Sequence, residues 1–362
     1  MHLDLFQLLP VRDGVGDQEV IDQAWWEIDA AERTGFGTIW LAEHHLSSFG
    51  LVGAPSVFAA AIAQRTQRVG IGYAVAVVPL HHPVRLAEEI AWVDALSHGR
   101  VHVGLGPGFS PFEFAGYGIP LAERGARFAE GASIVRGLLT QDVFQHQGRY
   151  WSVPEVSLRP RPRPDLRDRL YRASSSDASL LEAADDRTPV LLALKSRDEI
   201  ARSLRLYRER RLEAGASLAD IAREVARFRL LRRVCVAETD ETAWLEARQA
   251  ITWENSLAAQ VHEGAPAQQP EEALAEVNVP GACIGSPLAV ADELRALGAL
   301  GLRHVICWIH FGNMPFASVQ RSMRLLVEEV VPQLTGGAEA SRSVPPNPAF
   351  ATSGAPNHTA SD

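Results

Sequence analysis

Residues 69–105, VGIGYAVAVVPLHHPVRLAEEIAWVDALSHGRVHVGL, contain the pattern that decides the fold. The first part, 69–78, has almost no polar residue, which is typical of a strand covered on both faces. Residues 83–96 begin with a proline and predict a helix. Residues 100–105 predict a second strand. This order predicts two parallel strands that are joined by a helical crossover.

The same alternation extends in both directions along the chain. Strands are predicted at 2–8, 37–42, 69–78, 100–105, 170–173, 189–194, 227–237 and 304–309. Helices are predicted at 17–34, 55–65, 83–96, 121–139, 178–184, 196–214, 241–262, 287–300 and 317–334. Residues 140–168 predict a hairpin and an irregular Arg-Pro run, and 264–279 a mobile loop. About eight strands, each followed by a helix, favour an α/β fold, a (β/α)8 TIM barrel with insertions.

An open, doubly wound sheet is the alternative architecture. Its usual glycine fingerprint, G-x-G-x-x-G after the first strand, is absent from this chain. The run Gly104-Leu105-Gly106-Pro107-Gly108 follows the fourth strand instead, and Pro107 has no amide hydrogen to donate. By itself, this run fits a tight turn as well as a phosphate-binding loop.

Composition and charge bound the class of protein. The chain has 362 residues and a net charge of -9, which argues against binding to nucleic acid or to anionic membranes. No apolar run is long enough to predict a membrane span. Three widely spaced cysteines and an N-terminus without signal-peptide features predict a cytoplasmic protein with buried, inert thiols. One barrel domain is expected over residues 1–334, followed by a disordered tail over 335–362.

Polar clusters follow five of the predicted strands. In a barrel, the carboxyl ends of the strands meet at one mouth, where catalytic groups lie. The clusters are Glu43-His44-His45, His81-His82, the 104–110 loop, Ser174-Ser175-Ser176-Asp177 and His310. A metal site is one alternative, but adjacent residues of an extended strand point to opposite faces, so we predict no metal. The other alternative is that the histidines only cap strand ends, His45 above all.

The serine run after the fifth barrel strand indicates an anion site. Small hydroxyl residues stand there directly before a helix that begins near Asp177. Hydroxyl groups and the amides of a helix N-terminus suit a phosphate, whereas a helix cap alone needs only one such residue. The residues by themselves therefore predict a phosphorylated cofactor with a histidine nearby.

Three segments carry a resemblance to a known family. WLAEHHLSSFGLVGAP, IGYAVAVVPLHHPVRLAEEIAWVDALSHGR and GSPLAVADELRALGALGLRHVICW resemble the bacterial luciferase-like flavin monooxygenases, and the similarity runs over about residues 1–334. The resemblance implies a (β/α)8 barrel, a homodimer, and reduced FMN supplied by a separate flavin reductase. It implies that molecular oxygen is bound as a flavin hydroperoxide and that one oxygen atom passes to a small organic substrate.

The resemblance also implies roles for individual residues. His44 matches the histidine beside the reacting flavin, an acid/base role that suits imidazole. Glu43 is expected near the flavin or holding the histidine pair. Phe6 matches an aromatic residue near the flavin and substrate cavity. Ala74-Val75 matches a cis peptide bond beneath the flavin ring.

Further matches concern the flavin phosphate. Ser174 and Ser175 match the phosphate-contacting turn, and Ala178 lies at the start of the helix that follows. Gly106 belongs to the loop after the fourth strand, where luciferase has an arginine and this chain has Pro107. Losing such a charged contact weakens binding by about 1.5–3 kcal/mol, so tight retention of flavin is not implied.

Two other functions stay open on the same barrel. One is hydride transfer that depends on a deazaflavin. The other is a flavin-binding relative without catalytic activity, although the presence of His44 argues against it. Arg85, Glu88 and Asp94 match the family's third helix and are interpreted as structural ion pairs near the dimer interface.

Overall fold

A computed structural model describes residues 1–263, 279 and 281–334 of the chain. Eight parallel strands close into a barrel, which confirms the predicted fold. The predicted tail at 335–362 and most of the predicted loop at 264–279 lie outside the described residues.

The strands include one short element that the sequence did not predict. In chain order they are β1 (His2–Gln7), β2 (Thr38–Leu41), β3 (Gly70–Val77), β4 (Val101–Gly106), β5 (Phe144–Gln147), β6 (Ser152–Val156), β7 (Leu170–Ala173), β8 (Val190–Ala193), β9 (Arg229–Val236), β10 (Ala282–Gly285) and β11 (His304–Trp308). The strands β5 and β6 form the predicted antiparallel hairpin outside the barrel.

The helices follow the prediction closely at three places and add two that were missed. They are α1 (Asp17–Thr34), α2 (Pro55–Arg65), α3 (Pro83–Leu96), α4 (Pro111–Gly116), α5 (Arg124–Thr140), α6 (Asp177–Asp185), α7 (Arg197–Glu213), α8 (Leu218–Val225), α9 (Asp240–Ala258), α10 (Pro287–Ala299), α11 (Phe316–Leu325) and α12 (Val331–Leu334). The first three have the predicted bounds. Helices α4 and α8 were not predicted. A π-helical segment, Leu326–Val330, joins the last two helices.

Strand registers show how the barrel closes. Strand β1 pairs with β2 on one edge and with β11 on the other, and β8 pairs with β9. Arg233 of β9 lies opposite both Trp308 of β11 and Ala282 of β10. Strand β8 pairs only with the first part of β9, and β10 pairs with the carboxyl-terminal part of β9. Strand β10 is therefore an addition to the eight-stranded ring.

The lower barrel interior is filled by a few large side chains. Trp40 is fully buried, and its indole Nε1 donates a hydrogen bond to Asp4 at 3.1 Å. Gly72 makes room for this ring, because a Cβ at that position would lie 2.3 Å from Trp40 Cε3. Arg229 lies 3.5 Å from the same carboxylate of Asp4. The lower barrel interior is therefore a packed core.

Helix α9 does not descend beside the barrel as a crossover helix would. It starts after β9, and Gly312, in the loop after β11, packs so tightly against it that a Cβ there would lie 1.9 Å from the Ala250 carbonyl oxygen. The segment Ala259–Glu263 that continues α9 contacts α4, which follows β4. The helix thus crosses over the mouth between two strand ends, and α10 serves as the crossover to β11.

The three cysteines are free and buried, as predicted. Burial raises the pKa of the Cys235 and Cys283 thiols to about 12. Within the described residues, no helix is both long and apolar enough to cross a membrane. The same part of the chain has no group of three or more His, Cys, Asp or Glu placed to hold a metal ion.

Candidate active site

The Glu43 carboxylate joins the ends of two barrel strands. It follows β2, and one of its oxygens accepts hydrogen bonds from Nε2 of His45 at 2.8 Å and Nε2 of His81 at 2.7 Å. Its other oxygen accepts a hydrogen bond from the backbone N–H of Val77, the last residue of β3, at 2.9 Å. The two ring nitrogens are donors because an ionised carboxylate can only accept.

The electrostatics of this cluster favour the charged carboxylate. Burial raises the pKa of Glu43, but the hydrogen bonds from His45 and His81 outweigh burial and bring that pKa to about 2. For His81, burial lowers the pKa, while the bond to Glu43 raises it more, so the net direction is upward. Glu43 is therefore a buried negative charge that fixes both imidazoles.

His44 is held by a second carboxylate, from another part of the chain. Its Nδ1 lies 2.9 Å from Oε1 of Glu113 on α4, and the same oxygen accepts the backbone N–H of His45 at 3.1 Å. Burial raises the pKa of Glu113, but the bonds from His44 and His45 lower it more, so this carboxylate is ionised. It must accept from Nδ1–H, which makes Nε2 the proton-accepting nitrogen of neutral His44.

The short helix α4 sets the position of Glu113. Its N-cap is Ser110, whose hydroxyl accepts a hydrogen bond from the Glu113 backbone N–H at 3.3 Å, and Pro111 is its first residue. Glu113 was not among the predicted site residues. The sequence carried a usable signal, because Ser110-Pro111 after the glycine run is a helix start and Glu113 stands at its third position.

His45 is separated from His44 by the local geometry. It is buried, and its Nδ1 accepts a hydrogen bond from the Tyr117 hydroxyl at 2.8 Å while its Nε2 binds Glu43. Both ring nitrogens are therefore occupied within the protein. This is the geometry of a structural partner.

The peptide bond between Ala74 and Val75 is cis, which confirms the prediction from the resemblance. Both residues are half-buried, whereas the rest of β3 is buried. Gly106 of the neighbouring strand leaves space for Val75, since a Cβ there would lie 2.3 Å from Val75 Cγ2. Ala74 and Val75 are therefore the accessible part of β3. Their contact with a flavin stays a prediction.

The serine turn after β7 is ordered mainly by its own hydroxyl groups. Ser174 is buried, and its hydroxyl bonds to Ser179 Oγ at 2.9 Å and to the Ser176 carbonyl at 3.2 Å. Ser176 and Ser179 form a capping box at the N-terminus of α6. Ser175 and Ala178 are exposed at the same turn. The predicted phosphate contacts of this turn stay a prediction.

His310, His82 and His98 lie at three separate positions, apart from the Glu43 cluster. His310 is buried, and its Nδ1 lies 2.6 Å from Glu27 on α1 while its Nε2 lies 2.9 Å from Nη1 of Arg12. Since arginine only donates, Nε2 accepts and Nδ1–H donates to Glu27. His82 is exposed at the N-terminus of α3, and His98 is exposed in the turn before β4 at the opposite end of the barrel. Neither joins the Glu43 cluster.

A charged pair in the mouth was also missed. Arg233 of β9 and Glu254 of α9 are both buried and hydrogen-bonded to each other. Phe6 and Trp308 lie beside them, with ring centroids 5.3 Å apart. No sequence pattern pairs Arg233 with Glu254, because α9 brings the carboxylate over the mouth only in the folded chain.

Comparisons with known proteins identify the family of this chain. A family model described as luciferase-like monooxygenase matches residues 1–304. The oxygenase component of the flavin-dependent trigonelline monooxygenase of Acinetobacter baylyi is 28% identical over 347 residues, which are 90% of this chain and 94% of that protein. Limonene 1,2-monooxygenase of Rhodococcus erythropolis is 25% identical, over 85% of this chain and 80% of that protein. An uncharacterized protein of Sinorhizobium fredii is 35% identical, but over only 42% of this chain and 44% of that protein.

Solved structures agree with the fold. The monooxygenase RslO1 from Streptomyces bottropensis superposes with a TM-score of 0.80 at 26% identity, covering 92% of this chain and 99% of that one. The oxygenating constituent of 3,6-diketocamphane monooxygenase from Pseudomonas putida, solved with FMN, has a TM-score of 0.70 at 20% identity, covering 92% and 98% of the two chains. With the family model matching well over half of its length, the chain belongs to the luciferase-like monooxygenase family.

Proposed function

We propose that this protein is a monooxygenase that uses reduced FMN and molecular oxygen to oxygenate a small organic substrate. The observation that carries the proposal is the pair of His44 and Glu113 at the barrel mouth, beside the surface formed by Ala74 and Val75. Relatives over most of the chain are named as monooxygenases, and one is named as flavin-dependent.

The residues at the mouth fit FMN. Ala74 and Val75 offer a surface without protruding polar groups, against which a flat ring can pack. Exposed Ser175 and Ala178 stand at the N-terminus of α6, where backbone amides and the helix dipole suit a phosphate. Phe6 provides an aromatic edge beside Trp308. We propose that these residues, with Glu43, Gly106 and Ser174, hold the cofactor.

Atoms and electrons balance with one reduced FMN per turnover. When bound, reduced FMN supplies the two electrons that allow one atom of molecular oxygen to enter the substrate and the other to leave as water. We propose that a separate flavin reductase would reduce the FMN again for the next turnover. Pro107, in the loop after β4, offers the flavin phosphate no charged contact. Weaker binding of this kind allows the flavin to exchange with the reductase.

The protein's own residues control protons and water. Glu113 orients His44 so that Nε2 can take a proton from, or return it to, a reacting group in the mouth. Glu43 accepts hydrogen bonds from Nε2 of His45 and Nε2 of His81, and these two donors stabilise the buried negative charge of its carboxylate. Helix α9 covers part of the mouth and reduces the access of water.

The test uses purified protein with a flavin reductase, NADH, FMN and isotopically labelled oxygen, on a panel of aromatic ketones, aromatic acids and cyclic terpenes. One labelled oxygen atom per product is expected. His44→Asn should lower the rate of product formation by roughly 100-fold or more. His98→Asn is the matched control, because His98 is exposed and has the left-handed φ of 55° that asparagine tolerates.

Two outcomes contradict the proposal. The first is the absence of label from every product while FMN binding is intact. The second is full activity of His44→Asn, which overturns the role of this residue. If the protein instead binds a reduced deazaflavin preferentially and transfers hydride to a ketone, its function is deazaflavin-dependent hydride transfer and not oxygenation.

We also propose a homodimer in the cytoplasm. Adjacent helices α2 and α3 present Val57, 72% exposed, and Trp92, 58% exposed. On α3, Arg85 pairs with Glu89 at 3.1 Å and with Glu88 at 3.9 Å. An apolar surface with a charged rim suits a subunit interface. Sedimentation of Trp92→Glu as a monomer, beside a dimeric wild type, is the expected result.

A further inference from the structure

Arg233 brings a guanidinium group into the mouth of the barrel. It lies on β9 with the same orientation as Arg229, whose side chain reaches Asp4 inside the barrel. The guanidinium carbon of Arg233 is 5.0 Å from the ring centroid of Trp308, and Trp308 contacts Phe6 edge to face. The charged group is thus stacked on the aromatic wall next to the proposed flavin position.

Glu254 holds Arg233 from the other side. It reaches the mouth from α9, and its Oε1 accepts a hydrogen bond from Nη2 of Arg233. Both residues are more than nine-tenths buried. Burial raises the pKa of Glu254, while Arg233 lowers it less, so the carboxylate carries its charge at a cost. A buried ion pair of this kind is weak evidence for stability and invites a functional explanation.

The pair is incompletely bonded. Within the described part of the chain, Nε of Arg233 and Oε2 of Glu254 have no hydrogen-bond partner. Buried polar atoms without partners are rare in proteins, and at a site they mark places where a ligand or an ordered water completes the network. Arginine offers only donors, so the missing partner of Arg233 is an acceptor.

We propose that Arg233 is the substrate-anchoring residue of this enzyme, and that its ligand is an acceptor oxygen, of a carbonyl or a carboxylate, on a flat apolar molecule. The apolar body packs against Trp308 and Phe6, and the oxygen receives a hydrogen bond from the guanidinium group. Glu254 is a positioning residue that fixes the guanidinium plane. The inference rests on the proposed function, because it identifies the class of substrate for the same mouth.

The experiment measures binding of three probes that share one ring: acetophenone, benzoate and ethylbenzene. Saturation-transfer NMR titrations are made with the full chain and FMN. The wild type should bind acetophenone or benzoate more tightly than ethylbenzene. The double variant Arg233→Met with Glu254→Gln removes both charges. It should weaken the binding of the acceptor-bearing probe roughly 10- to 100-fold and leave the binding of ethylbenzene unchanged. The two oxygen probes show which acceptor is preferred.

Two further variants make the test decisive. Arg248→Met is the control, because Arg248 is exposed on α9 with its guanidinium 5.4 Å from the ring centroid of Trp244, and should change none of the affinities. Glu254→Gln alone removes the competing negative charge but keeps an amide oxygen that can still accept the hydrogen bond from Arg233, so it should tighten the binding of benzoate several-fold relative to ethylbenzene. This single variant decides the question if the double variant does not fold.

Some results overturn the inference. It is wrong if the wild type binds neither acetophenone nor benzoate more tightly than ethylbenzene, or if the double variant retains the wild-type preference. The readout needs no turnover. Absence of oxygen incorporation with the probe preference intact therefore contradicts the proposed function, whereas labelled product with no effect at Arg233 contradicts only the anchoring role.

Discussion

Replacing Glu43 with glutamine should destabilise the protein in a manner that depends on pH. The carboxylate accepts three hydrogen bonds of 2.7–2.9 Å, from His45, His81 and the Val77 backbone. A glutamine of the same size has only one acceptor oxygen, and its NH2 group must face either an imidazole N–H or the backbone N–H. Either a buried donor then loses its acceptor or an imidazole must change tautomer, and the negative charge that the three donors stabilise is lost in both cases.

The magnitude follows from the pKa of Glu43. Although burial raises it, the bonds from His45 and His81 lower it from 4.5 to about 2. Each pKa unit corresponds to about 1.4 kcal/mol, so the ionised carboxylate contributes about 3 kcal/mol to the free energy of unfolding at neutral pH. Because the folded-state pKa is depressed, this contribution is complete above about pH 4.5 and is lost as the pH falls towards about 2.

Urea unfolding of the wild type and Glu43→Gln over a pH series measures this contribution. The difference in unfolding free energy should be about 3 kcal/mol at neutral pH and should shrink below about pH 4.5. Glu209→Gln is the control, because Glu209 is exposed on α7, and should change stability by less than about 0.5 kcal/mol. A difference that stays constant down to about pH 3, or one below about 1 kcal/mol at neutral pH, refutes the reasoning.

Three further predictions concern the site and the core. Glu113→Gln should lower turnover roughly 10-fold or more, since His44 loses the ionised acceptor that orients it, and unchanged product formation would exclude this role. Gly106→Ala should cost about 1–3 kcal/mol in urea unfolding, because its Cβ would lie 2.3 Å from Val75, whereas Gly125→Ala on α5, with no atom within 4 Å, should be neutral or stabilising. Iodoacetamide should label no cysteine of the native protein, because burial raises the pKa of all three thiols. In urea it should label all three. Labelling of the native protein, detected by mass spectrometry, would contradict this packing.

Periodicity was sufficient to predict the long elements. Helices at 17–34, 55–65 and 83–96 have the predicted bounds, since apolar spacing and a proline or glycine at an end are local signals. Strand β10 was missed because its four residues, ACIG, form a strand only by pairing with β9. Helix α8 has eight residues, and it was overlooked within the segment between a long helix and the next strand.

Part of the site was also predicted, because some of its residues are marked by local signals in the sequence. Glu43 and His44 stood out because charged residues at the end of a buried strand are visible in the sequence. Glu113 lies 69 residues from His44 and shares a hydrogen bond with it only because β2 and β4 end at the same mouth. Arg233 and Glu254 meet only because α9 turns across the barrel.

The sequence alone determined the alternation of strands and helices, the barrel, and the strand ends at which polar residues gather, because each depends on local spacing and on the resemblance of contiguous motifs. Only the tertiary structure decided which carboxylate holds which imidazole, and that an ion pair lies in the mouth. Those contacts join residues far apart in the chain, and their energies depend on burial and on distances of about 3 Å, which no local pattern specifies.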